Sequence, residues 1–239
     1  MDLKNYHIEI CHHLELNLNQ SHSQLDLGKY HVFSSDLLVW SNILKKQRTE
    51  MQVLENVAYE LQFSVFLVTS GLYRQAFASL RLVLELALSG ILFSSDEFYF
   101  RKWKQGLADI SWAKITHEDT GIFSTMWLKA FYNAEPDPKD KEDITAISKL
   151  AQETYRQLSG YVHGGNYTWP TNNSHIVFNQ IQFDLWKNLS DNTSRIILYS
   201  LLIRFNQDLS PDNLRELEDC LLHNIDDLKI TKIILERPL

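Results

Sequence analysis

With 239 residues, 44% of them hydrophobic, and a net charge of −7, the chain can build one full core but lacks the basic excess that grips duplex nucleic acid over a broad face. Its two cysteines, Cys11 and Cys220, stand near opposite ends without metal-ligand or redox spacing, which excludes a disulfide framework and fits a soluble, reduced, cytoplasmic protein. Met1 to Leu18 mixes Asp2, Lys4, His7, Glu9 and Glu15 among its apolar residues, so it has no secretory h-region, and the sequons at Asn166, Asn172, Asn188 and Asn192 carry no weight.

In chain order, Leu37 to Lys46 and Met51 to Ser70 show helical apolar spacing, with Leu54, Val57, Ala58, Leu61, Val65 and Val68 recurring at threes and fours. Gly71 interrupts, and a long helix over Tyr73 to Phe93 follows so closely that the two must be antiparallel neighbours. The apolar run Ala76 to Phe93 approaches membrane-spanning length, but Arg81 and Glu85 inside it point to a buried bundle helix and no membrane partner. Asp96 to Ala134 is rich in aromatics and reads as shorter helices, ended by the loop at Pro136 and Pro138.

From Lys141 a helix runs to His163 with Ile144, Ile147, Ala151, Tyr155, Leu158 and Val162 as its apolar stripe, stopped by Gly164 and Gly165. Gly164 to Ser174 is loop by composition, and His175 to Phe183 alternates like a short strand. Trp186 to Asn206 returns to helical spacing, and Ser210 caps a helix that starts at Pro211 and runs to about Asp226. The β-branched tail, Leu228 to Leu235, suits a strand that pairs with the earlier one. The expected fold is an all-α helical bundle in one domain over 1–239, with its core at about 37–165, a helical extension at about 184–227 and a small β-hairpin near the C-terminus.

The chemically pointed segment is Tyr155-Arg156-Gln157-Leu158-Ser159-Gly160-Tyr161-Val162-His163-Gly164. Seven residues of α-helix turn the chain through ~700°, about 20° short of two turns, so Arg156 and His163 share a face about 10 Å apart along the axis. Arg156 offers a forked cation suited to phosphate, and His163 can exchange a proton near neutral pH. Ser159 and the small Gly160 lie between them and leave room for a ligand or another chain. An anion clamp and a proton shuttle together suffice for attack of a ribose 2′-OH on its own phosphodiester.

Arg156, Gln157 and His163, near the end of a helix in an all-α bundle, resemble the R-x(4–6)-H signature of the HEPN superfamily, with six residues intervening. The phrase LSGYVHG and the upstream YRQAFASLRLVLELAL are similar to a bacterial HEPN-like branch, and the resemblance covers Glu50 to Gly165. It implies a metal-independent endoribonuclease of prokaryotic defence or toxin systems, or a non-catalytic module that binds RNA or a protein partner such as an antitoxin. It also implies a homodimer that brings two such helices together.

Around this pair, Arg81 and Glu85 are spaced i, i+4 in an apolar helix, which fits a structural ion pair, or a Glu85 that reaches across to Arg156 or His163. Arg74, one heptad earlier, extends a positive patch toward RNA. Tyr167 and Trp169, in the loop after His163, either stack on unpaired bases or pack the loop down. His7 and Cys11, with His12 and His13 beside them, lack the second cluster that a zinc site requires, so no metal and no cofactor is expected.

Overall fold

The computed structural model describes residues 2–23, 27–165, 168 and 176–236. Among them are eleven α-helices and no strand: α1 (Leu3–Ser21), α2 (Gly28–Leu44), α3 (Val53–Thr69), α4 (Tyr73–Phe93), α5 (Glu97–Lys104), α6 (Trp112–Ile115), α7 (Thr125–Phe131), α8 (Pro138–Val162), α9 (Gln180–Phe205), α10 (Pro211–Ile225) and α11 (Lys229–Leu235). A 3-10 turn, Thr49–Gln52, leads into α3. The protein is an all-α bundle.

At its heart is the α3–α4 hairpin. Gly71, at φ +78, makes the turn, and a Cβ there would lie 2.7 Å from the Asn17 side-chain nitrogen, so glycine is required on both counts. Gly90 lets α4 approach α3 closely, since a Cβ would fall 2.4 Å from Val53. α4 is the one described helix long and apolar enough to cross a membrane, yet 72% of that window is buried inside the protein, as befits the central helix of a core.

α9 shares this core. Phe183, Trp186, Ile196, Ile197 and Leu198 are fully enclosed, and Trp186 Nε1 donates to Ser64 Oγ at 2.9 Å, which in turn donates to the Ala76 carbonyl at 2.8 Å. One indole thus ties α9, α3 and α4 together. α2 closes the opposite side through the buried Trp40 and a Ser34 hydroxyl that donates to the Ala58 carbonyl. α1 touches the hairpin tip through Asn17 and Ser21, its two buried residues.

Several helix limits follow from caps. Asp137 and Asp140 form a capping box with Pro138 in the first turn, so α8 begins ahead of Lys141; Ser210 and Asn213 do the same for α10, with Pro211 in its first turn. Asn179 caps α9 at Gln182, which starts that helix six residues before Trp186.

The expected hairpin does not form. Residues 176–179 have no regular structure, α9 begins at Gln180, and His175 lies outside the described residues. The tail is helical: Ile230, Thr231 and Ile234 turn inward at helical spacing, and Lys229 anchors the start of α11 to Asp137, the cap of α8, and to Asp140 and Asp143 within that helix. Burial and these charge contacts outweigh the β-branched preference.

Candidate functional site

Three helices converge where α8 ends. α4 contributes Arg81 and Glu85 one turn apart, α8 contributes Tyr155 and closes on His163, and the short α6 supplies Trp112. Arg81 Nη2 donates to Glu85 Oε1 at 3.0 Å and to the Tyr155 hydroxyl at 2.8 Å, while Nη1 lies 3.4 Å from His163 Nε2. A guanidinium can only donate, so this contact makes Nε2 the acceptor and leaves the imidazole proton on Nδ1. Trp112 stacks on the Tyr155 ring at 3.8 Å and 3°, holding the phenol in place.

The cluster lies at the edge of the core. The Arg81 and Glu85 side chains keep 14% and 18% of their exposure, and His163 is exposed. Arg81 is therefore a charge-balanced, nearly buried cation whose remaining Nη1 is turned to an imidazole that faces water. Its Nε is buried without a hydrogen bond.

The pairing differs from the sequence expectation in an instructive way. His163 has Arg81 as its neighbouring guanidinium. Arg156 and Gln157 are exposed, and Arg156 forms neither a hydrogen bond nor an ion pair with another described residue. α8 is unbroken from Pro138 to Val162, so Arg156 still stands on the same helix face as His163, two turns back. Glu85 is taken up by Arg81 and does not reach across to Arg156 or His163.

Other expected residues have structural partners. Arg74 Nε donates to the Tyr161 carbonyl at 3.0 Å, satisfying one of the last carbonyls of α8. Tyr161 stacks on Phe77 and donates from its hydroxyl to Gln182 Oε1 at 2.9 Å, so this end of α8 is fastened to α4 and α9. Ser159 is half-buried, and its hydroxyl has no hydrogen-bond partner. Tyr167 and Trp169 lie outside the described residues.

The apolar stripe of α8 is also shifted by one position at two places. Thr154 and Tyr161 are the buried residues, whereas Tyr155 is half-buried and Val162 is 39% exposed. The buried set 144, 147, 151, 154, 158, 161 repeats strictly at threes and fours, the narrow seam of a helix held between neighbours. That shift is what frees the Tyr155 hydroxyl to meet Arg81.

Sequence reading placed Tyr155 in the core and gave Trp112 no role. One signal pointed to them: a cation inside an apolar helix needs an acceptor, and a tyrosine beside Arg156 carries a hydroxyl that seeks a partner. Among the described residues no group of three His, Cys, Asp or Glu is placed to hold a metal ion; His7, Cys11 and His12 sit on the exposed α1. No protein-family profile, curated protein or solved structure matches this chain.

Proposed function

We propose that this chain is a metal-independent endoribonuclease, with His163 as general base and acid and Arg156 as the phosphate clamp. The observation that carries the reading is the position of His163: exposed, its Nε2 3.4 Å from Arg81 Nη1, on the same helix face as an unpaired Arg156. In the reaction the ribose 2′-oxygen forms a bond to phosphorus as the P–O5′ bond breaks. His163 takes the 2′-OH proton on Nε2 as that atom gives up its long, 3.4 Å contact with Arg81, and the imidazolium returns a proton to O5′, leaving a cyclic phosphate and a 5′-hydroxyl. Arg156 takes the charge on the phosphoryl oxygens, while Glu85 and Tyr155 hold Arg81 and thereby the imidazole. Gln157, exposed beside Arg156, would border the path of the substrate, whereas the Ser159 hydroxyl is buried.

The setting we infer is cytoplasmic, in a prokaryotic defence or toxin system, with the chain acting as a homodimer and restrained by an antitoxin or other partner. Purified protein incubated with RNA in chelator should cleave it, and His163→Ala should lose at least about a hundredfold in rate. Equal cleavage by wild type and His163→Ala would sink the enzyme reading.

One observation favours a second reading, a non-catalytic module for RNA or a protein partner. Tyr59, Phe63 and Phe66 line an outer face of α3 and are 63%, 53% and 51% exposed, more aromatic surface than an isolated bundle needs to show. Absence of cleavage together with a stable complex that survives Arg156→Ala and His163→Ala would favour that module.

A further inference from the structure

At the far end of α4, some 18 Å along the helix from Arg81, a second concave site opens. It is a cavity of about 500 Å³ between the turn that joins α2 to α3 and helix α5, walled by Arg48 and Glu50, by Ser94, and by Phe100, Arg101 and Lys104. Lys104 is exposed and forms no ion pair, and Arg101 pairs with the exposed Glu97. Phe100 offers a half-buried ring.

Behind this wall lies Arg204, 7% exposed, donating from Nη2 to the Ser94 carbonyl at 3.0 Å. Arg48 Nη2 and Arg204 Nη1 share a single carboxylate oxygen, Asp208 Oδ2, at 4.0 and 3.9 Å, both too long for hydrogen bonds. Asp208 Oδ2 and Arg204 Nε are buried and have no hydrogen-bond partner. Burial first, and the charge of Arg48 second, bring Arg204 down to about 10. Three cations in the wall, Arg48, Arg101 and Lys104, face two carboxylates, Glu50 and Glu97, so the cavity carries a positive excess in a chain whose net charge is −7. A bound anion would relieve the crowding of Arg48 against Arg204 and give Lys104 a partner.

We propose that this cavity binds a phosphate-bearing small molecule with a planar ring, a nucleotide, whose phosphate is held by Arg48 and Lys104 and whose ring lies on Phe100. The site is separate from the α8 cluster. Calorimetric titration with pyrophosphate and with ADP as probes tests it. Both should bind saturably, ADP more tightly, and an Arg48→Gln, Lys104→Gln double variant should weaken both by about tenfold or more. Phe100→Ala should bring ADP down to the affinity of pyrophosphate, and His163→Ala should bind both as wild type does. Absence of saturable binding, binding that the double variant leaves unchanged, or loss of binding in His163→Ala would overturn the proposal. Equal affinity of the wild type for the two probes would overturn the ring contact. Should Arg48→Gln disturb folding through Asp208, Lys104→Glu alone decides, since Lys104 has no partner to lose: it must weaken both probes.

Discussion

Two arginines sit within the apolar body of this bundle, and the chain treats them in opposite ways. Arg204, on α9, is clamped: its guanidinium carbon lies 4.3 Å from the Phe131 ring centroid and 4.8 Å from that of Phe205, and one carbonyl takes its strongest hydrogen bond. Arg81, on α4, is dressed with close acceptors, a carboxylate and a phenol, and keeps one nitrogen directed at an exposed imidazole. Both guanidiniums also meet a ring, Arg81 lying 4.8 Å from the Tyr155 centroid, so the difference lies in the polar contacts: Arg204 has one carbonyl within hydrogen-bonding distance, whereas Arg81 has a carboxylate and a phenol and stands at the edge of water.

Substitution should separate the two cleanly. Arg204→Ala leaves a hole between two phenylalanines and leaves Asp208 with Arg48 as its one charged neighbour, and should lower the unfolding free energy by about 3–5 kcal/mol in denaturant titration. Arg204→Met, close in length and apolar, should recover most of that loss. Arg81→Ala should cost less, about 1–2 kcal/mol, because Glu85 can turn to solvent, yet should reduce the proposed RNA cleavage by loosening His163 and Tyr155. If Arg81→Ala proved the more destabilising of the two, the distinction between clamp and edge would collapse.

The smallest effect is expected at a third, more exposed arginine. Arg195 holds Asp227 with two hydrogen bonds of 2.6 Å, which keeps the Asp227 carboxyl below the usual aspartate range. A lowered folded-state value means that the contribution is complete above the unfolded value of about 3.9 and fades as pH falls through the folded one. With the Asp227 side chain 60% exposed, screening keeps the contribution under about 1 kcal/mol. Asp227→Asn should therefore leave melting at neutral pH nearly unchanged and flatten its decline below about pH 4.

Much of the bundle was legible from local chemistry. Tyr73 to Phe93 was bounded correctly by Gly71 and the apolar run, and the Ser210-Pro211 start needed no tertiary information because cap and proline act within one turn. The tail was not legible: Ile230, Thr231, Ile233 and Ile234 favour a strand in isolation, and the decision came from Asp137, Asp140 and Asp143, about ninety residues earlier in the chain. The site divided the same way. Helix periodicity put Arg156 and His163 on one face, but the partnership of Arg81 with Tyr155 and His163 spans 74 and 82 residues and depends on how α4 and α8 are set against each other. A one-position shift of the buried seam, to Thr154 and Tyr161, settles that arrangement, and composition carries no trace of it.

The stacking of Trp112 on Tyr155 has a consequence for how this protein can vary over time. A four-residue helix in the stretch between α5 and α7 is coupled through one ring to the end of α8, so that stretch cannot gain or lose residues independently of its distant neighbour. Insertions on the Trp112 side would be filtered by what they do to an arginine and a histidine they never touch. An outwardly permissive connection thereby takes on the geometric constraint of the cluster it braces.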